Sequence, residues 1–190
     1  WRGCTLDRAV SNFESFKNHV SVLFWSLGNE SYAGDILVEM NRYYKEKDPD
    51  RLVHYEGVAE NRPYEDLISD MESQMYAPPE KIKEYLENNP KKPFILCEYM
   101  HDMGNSLGGM ESYIRLLDQY EDYQGGFIWD YIDQALFVKD EVTGRDVLRY
   151  GGDFDDRPSD YEFSGNGILF ADRTEKPAMQ EVRHYYGLRR

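Results

Sequence analysis

Short apolar runs alternate with amphipathic stretches along the chain, the pattern of strands and helices taking turns around a mostly parallel sheet. "LDRAVSNFESF" places Leu6, Val10 and Phe13 at helical spacing, and "VSVLFWSL" (20–27) follows as a nearly continuous apolar strand. "GDILVEMNRYYKEK" predicts a helix with Ile36, Leu37, Met40 and Tyr44 on one face, stopped by Asp48-Pro49. "RLVHYEG" predicts a strand, "EDLISDMES" a weaker one, and "EKIKEYLEN" a helix ended by Asn89-Pro90. "PFILCEY" is a strand, "MESYIRLLDQY" a helix and "GGFIWDYID" the last strand, which makes five β-segments in an α/β chain.

Strands of this kind fit either an open doubly wound sheet or a closed (β/α)₈ barrel. Polar residues collect at their carboxyl ends: Asn29-Glu30 after the first, Glu56 after the second, Glu98 in the fourth, Asp130 and Asp133 in the fifth. That is the layout of a barrel whose site gathers at the strand C-termini. A dinucleotide-binding sheet would carry G-x-G-x-x-G, which is absent. A whole barrel takes about 250 residues and eight strands, so the chain is expected to hold the C-terminal part of a TIM barrel. Residues 1–136 would supply its later strands and helices, and 137–190 an irregular or β exit segment toward a further domain.

Composition narrows the partners. A formal charge of −14 excludes nucleic acid and an anionic membrane surface, both of which would be repelled. A neutral, hydroxyl-rich ligand is compatible with it. Cys97, inside the apolar run "FILC", is expected to be an inert core thiol, so disulfides do not hold the fold. No run of about 18 apolar residues and no leader pattern occurs. The first residue is Trp rather than Met, so a cytoplasmic or a periplasmic location stays open.

Glu30 and Glu98 lie at the ends of different strands, each beside large apolar residues. Two carboxyl groups meeting in one cleft, about 5 to 5.5 Å apart, are what retaining glycoside hydrolysis requires, one as acid/base and one as nucleophile. Burial and a neighbouring carboxylate would raise the acid's pKa, while the nucleophile needs hydrogen-bond donors to stay ionised. The plainer alternative pairs both with arginines inside a barrel.

The motifs "WSLGNES" (25–31), "ILCEYMHDMGNSLGG" (95–109), "QGGFIWDYIDQAL" (124–136) and "YGGDFDD…FSGNGILFADRT" (150–174) closely resemble the β-galactosidases of glycoside hydrolase family 2, in the same order and spacing. The resemblance runs from about Asn18 onward and implies a piece of a longer enzyme. It makes Glu30 the general acid/base and Glu98 the nucleophile, with Asn29 bonding the sugar 2-hydroxyl. The Asn29-Glu30-Ser31 glycosylation sequon is then noise, because a catalytic cleft has no room for a glycan. Tyr76 resembles the tyrosine whose hydroxyl touches the nucleophile, His101 the histidine on the 6-hydroxyl, and Trp129 the aromatic wall of the galactose pocket. A cis Trp129–Asp130 peptide is expected from the same resemblance.

The acidic stretch "GGDFDDRPSDYEFSGNG" suggests a calcium loop, but counting from Asp153 puts Pro158 and Ser164 where an EF-hand needs Gly and Glu. The resemblance implies instead that the Asn166 side chain and the Phe163 carbonyl belong to a Na⁺ site beside the sugar, with a further ligand upstream. Glu30 would likewise bind Mg²⁺ together with residues outside this chain, so both metal sites are expected to be incomplete here. Met100 and Asp102 stand where small residues are expected, a departure that bears on the galactose pocket. His54 and Glu56 are assigned to core or rim packing. The rivals are another family 2 activity, β-glucuronidase or β-mannosidase, and a non-catalytic sugar-binding barrel.

Open edges of a partial barrel are templates for association, so a homo-oligomer is expected, and the isolated 190-residue chain is predicted to associate and to leave nitrophenyl galactoside uncleaved. Light scattering and a turnover assay check both; robust turnover would show that the remaining barrel strands are dispensable.

Overall fold

The computed structural model describes residues 1–188. They form two compact units, one of residues 1–97 and 120–125, the other of residues 98–119 and those from 126 on.

The first unit opens with α1 (Arg2–Phe16), which buries Ala9 and Phe13; Val10, expected on the inner face, is 39% exposed. The strand expected over 20–27 is shorter, because residues 17–22 turn back on themselves through Lys17 N–H to Phe13 O, His19 N–H to Phe16 O and Val22 N–H to His19 O. Amides spent in a turn cannot serve a ladder, and β1 is only Phe24–Ser26. β1 runs parallel to β2 (Leu52–His54), with Trp25 opposite Val53. Between them lies α2 (Asp35–Lys47), which buries Leu37, Val38, Met40 and Tyr44 and carries Asp35 in its first turn and Lys45 and Lys47 in its last, the signs its dipole favours.

"EDLISDMES" is not one strand: α3 (Glu65–Ile68) precedes β3 (Glu72–Met75). Ser69 and Asp70 break it, since Ser69 Oγ accepts the Tyr55 N–H at 3.1 Å and Asp70 Oδ2 the Val53 N–H at 2.6 Å. Short polar side chains thus compete with regular pairing. α4 (Pro79–Glu87) starts on a proline, whose missing N–H no helical partner would have needed, and buries Ile82 and Leu86. β4 (Phe94–Tyr99) lies between β3 and β5 (Tyr123–Ile128) in a three-stranded sheet.

In the second unit the helix expected over 110–120 is broken at Arg115 into α5 (Met110–Ile114) and α6 (Leu116–Gln119). β6 (Leu136–Lys139) and β7 (Asp146–Arg149) make an antiparallel hairpin, in keeping with the β character expected of the tail. α7 (Met179–Gly187) was not anticipated; Val182 is its one buried residue, too little for a periodic signal. The α/β class and the parallel pairing of β1 with β2 agree with part of a barrel, and the described residues close no barrel. Neither Cys4, which is exposed, nor Cys97, which is half-buried, forms a disulfide. No helix among the described residues is long and apolar enough to cross a membrane.

The core of the first unit is built on Trp25, which stacks on Tyr44 with ring centroids 5.2 Å apart and meets Phe13 at 5.6 Å. Its indole N–H donates to Asp48 Oδ2 at 3.0 Å, and Arg51 lies over the ring while bonding the same carboxylate oxygen at 2.7 Å. Next to it, His54 is buried, with ring nitrogens 2.9 Å from Ser26 Oγ and 2.7 Å from Ser73 Oγ, tying together β1, β2 and β3.

Burial lowers the His54 pKa from 6.5 to about 4. The folded value lies below the unfolded one, so the stability contributed by the neutral ring is complete above pH about 6.5 and drains away as pH falls toward 4, a loss of about 3 kcal/mol at most. Urea midpoints at pH 7 and pH 4.5 are expected to diverge more for the wild-type chain than for His54→Gln; equal divergence would acquit the histidine.

Candidate active site

In the first unit the polar residues after β1 are placed by those after β2. Leu27 N–H still bonds His54 O at 3.1 Å, and then the chain leaves the sheet at Gly28. Strand alternation sends Trp25 and Leu27 into the core, and Asn29 and Glu30, past the strand, are exposed. This corrects the expectation that Glu30 sits in an apolar setting: the apolar neighbours point away from it. Glu30 has φ 54°, in the left-handed region, and its N–H donates to Glu56 Oε1 at 2.5 Å. The next residue is gripped at both backbone ends, Ser31 N–H donating to the Tyr55 hydroxyl at 3.1 Å and that hydroxyl donating to Ser31 O at 2.5 Å. Gly57 admits this approach, since a Cβ there would lie 2.3 Å from Ser31 O. A cavity of about 490 Å³ follows, lined among others by Glu30, Glu56, Glu60, Tyr76 and Lys81. Glu30 and Tyr76 therefore share one pocket wall, and Tyr76, just past β3, also has a positive φ of 53°.

In the second unit the residues after β4 and β5 are stitched to the 163–169 loop. Glu98 is half-buried in β4. Trp129 N–H donates to Tyr99 O at 3.1 Å, and Asp102 N–H donates to Trp129 O at 2.9 Å. The Trp129–Asp130 peptide is cis, as expected. Beyond it, Asp130 N–H donates to Asn166 O at 2.8 Å and Ile168 N–H to Asp130 O at 3.0 Å. The His101 ring lies 5.2 Å from that of Phe163. Glu98 in β4 and His101 after it, Trp129 after β5, and Phe163 and Asn166 of the loop thus belong to the second unit; Asn29, Glu30 and Tyr76 belong to the first.

The loop is held by a half-buried ion pair. Asp133 Oδ1 accepts Lys176 Nζ at 2.8 Å and Gly167 N–H at 2.8 Å, and Lys176 also reaches Gly165 O at 3.3 Å. Burial pushes the Asp102 carboxyl above the usual range, against the pull of Lys176 and with the help of Asp133.

The two metal expectations differ in how well the residues fit. Asn166 is 1% exposed and its Oδ1 meets no hydrogen-bond donor among the described residues, as an amide oxygen serving a cation would be. For magnesium, the described residues hold no group of three or more His, Cys, Asp or Glu side chains able to bind a metal, and Glu30 alone is no site. The acidic stretch spends carboxylates on turns: Asp156 Oδ1 accepts the N–H of Gly152 at 3.0 Å and of Phe154 at 3.1 Å, and these bonds hold its pKa down.

Two residues escaped the reading of the sequence. Glu56, assigned to core or rim packing, is indeed buried at 7% exposure, but it also holds the Glu30 backbone, a role that assignment does not include. Its position at the carboxyl end of β2 was the available signal. Asp102, noted only as a departure, is buried behind His101 at 1% exposure.

Acids, amides and aromatics displayed after successive strands of an α/β chain are the layout of a barrel that works at the strand C-termini. Residues 1–189 match the glycosyl hydrolases family 2 TIM barrel domain, and the chain belongs to that family. It is 73% identical over 187 residues to a beta-galactosidase large subunit of Latilactobacillus sakei, covering 98% of this chain and 30% of that protein. A beta-galactosidase of Halalkalibacterium halodurans is 60% identical over 186 residues, 98% of this chain and 18% of that protein. Among solved structures, a Lactobacillus rhamnosus beta-glucuronidase superposes with a TM-score of 0.62 at 17% identity, over 96% of this chain and 35% of that one, a likeness of fold. The chain thus spans less than a third of the length of the curated relatives it matches.

Asp133→Ala is expected to cost about 1–3 kcal/mol, because it removes the carboxylate partner of the half-buried Lys176 ammonium and the acceptor of the Gly167 N–H together. Denaturant titration checks this, and Asp133→Ala with Lys176→Ala is expected to lose less than the sum of the two single variants.

Proposed function

We propose that the protein is a retaining β-galactosidase working by double displacement. The observation that carries the proposal is the 73% identity to a protein named beta-galactosidase large subunit across 98% of this chain. Glu98 attacks the anomeric carbon of a terminal β-D-galactoside while Glu30 protonates the departing glycosidic oxygen. Glu30, now ionised, then takes a proton from water, which displaces Glu98 and restores both carboxyl groups.

The other residues position the sugar. Asn29 bonds the 2-hydroxyl, a contact that strengthens in the oxocarbenium-like transition state. The Tyr76 hydroxyl donates to Glu98 and keeps it charged, His101 takes the 6-hydroxyl, and Trp129 forms an apolar wall for the galactose face. Asn166 and the Phe163 carbonyl would hold a sodium ion, which when bound supplies fixed positive charge for sugar hydroxyls. No step is assigned to magnesium, for which this chain offers only Glu30.

Several relatives carry the name large subunit. By that likeness the protein assembles with a second, smaller chain, an alternative to the homo-oligomer expected from its open edges.

In the full-length protein, Glu98→Gln is expected to abolish turnover of nitrophenyl galactoside, by about 10³-fold or more. A 2-fluoro galactoside is expected to label Glu98, found by peptide mass mapping. Nitrophenyl glucuronide or mannoside turned over faster than the galactoside would move the substrate assignment, and an unlabelled Glu98 with intact sugar binding would make the barrel a binding module.

A further inference from the structure

The segment Tyr55-Glu56-Gly57 does something that packing alone does not require. Three consecutive residues after β2 each constrain the backbone of Glu30-Ser31 by a different means. Glu56 Oε1 accepts the Glu30 N–H at 2.5 Å. The Tyr55 hydroxyl bridges Ser31 N–H at 3.1 Å and Ser31 O at 2.5 Å. Gly57 provides the empty space, since any Cβ there would meet Ser31 O at 2.3 Å and the Tyr55 ring at 2.5 Å.

The held conformation is one that a glutamate would not choose. At φ 54°, Glu30 lies in the left-handed region, which costs a non-glycine residue on the order of 1–3 kcal/mol unless its surroundings impose it. Both gripping residues are themselves fixed: Tyr55 is 0% and Glu56 7% exposed. The amide that this buried carboxyl accepts from belongs to Glu30, which lines the pocket.

We propose that Tyr55, Glu56 and Gly57 form a clasp that aims the Glu30 carboxyl at the leaving-group oxygen, with Glu56 as its central positioning residue. The proposal rests on the assignment of Glu30 as acid/base. In the clasp Glu56 acts by accepting the Glu30 N–H and transfers no proton. A misplacement of about 1 Å at a proton donor can cost on the order of 100-fold in rate, and the loss falls where protonation is needed most.

The experiment measures kcat/KM of the full-length protein on aryl galactosides from 2,4-dinitrophenyl to phenyl. Glu56→Leu, which removes the acceptor, and Gly57→Ala, which pushes Ser31 O from the other side, are both expected to lose about 10- to 100-fold on the phenyl substrate and less than about 3-fold on the dinitrophenyl one. Glu56→Gln keeps an acceptor oxygen and is expected to recover most of the loss. Should Glu56→Leu fail to fold, as judged by its thermal midpoint and circular dichroism, Gly57→Ala and Tyr55→Phe must show the same leaving-group dependence. Equal loss across the whole series, or none, in the folded variants overturns the clasp. Glu30→Gln, run alongside, separates the two ideas. If it shows no leaving-group dependence, the acid/base assignment falls; if it does while the clasp variants do not, only the clasp falls.

Discussion

The immobilisation of the Trp25 indole is the constraint on which the rest of the first unit depends. Stacked on Tyr44, edged by Phe13, covered by Arg51 and bonded through its N–H to Asp48, the ring fixes β1 against both flanking helices. Burial alone would raise the Asp48 carboxyl, but the indole N–H and the Arg51 guanidinium pull it below the ordinary range, so the anchor stays charged. A strand of only three residues has too few ladder bonds to define its own position. The indole supplies what the ladder lacks, and the point at which Gly28, Asn29 and Glu30 leave the sheet follows from it.

This anchoring explains which parts of the fold were legible in the sequence. α2 and β4 read correctly because each buries a periodic or continuous apolar set, Leu37, Met40 and Tyr44 in one and Phe94, Ile95 and Leu96 in the other. The segment 65–75 did not, because its structure is decided by Ser69 and Asp70 bonding the backbone around β2, a long-range event that leaves no periodic trace. α7 stayed hidden for the opposite reason: one buried side chain makes no stripe. Among site residues, side chains with a chemical role stood out through motif and strand-end position. Glu56 stood out by strand-end position but its role did not, because its work is done on another residue's N–H, and hydrophobicity patterns do not record backbone acceptors.

The strong negative charge is likewise distributed with a purpose that composition could not show. Outside the candidate site, many carboxylates are spent on backbone and hydroxyl donors. Asp140 takes the hydroxyl and N–H of Thr143, and Asp172 those of Thr174; both are held below the usual carboxylate range by those bonds. Others lie in ion pairs, such as buried Glu72 with Arg62. A neutral sugar carries no net charge on which the remaining negative charge could act as a repulsive barrier. Glu30 differs, being exposed, lining a pocket and joining no ion pair among the described residues.

Glu30, Tyr76 and Met100, at φ 54°, 53° and 55°, are non-glycine residues in the left-handed region, and each follows a strand: β1, β3 and β4. A left-handed residue after a strand turns the chain out of its extended path within one step. Two of the three are residues that motif resemblance singled out, and the third immediately precedes His101, which it also singled out. Glycine would adopt the same backbone more cheaply but would carry no carboxyl, hydroxyl or thioether. Side chain and unfavourable backbone are retained together at all three strand ends, so the cost must be met by what holds them, and at Glu30 those holders are visible as Glu56, Tyr55 and the gap left by Gly57. At these three strand ends backbone preference has given way to where a side chain must point, while Asn89, Asp155, Tyr161 and Arg173 adopt the same region elsewhere in the chain.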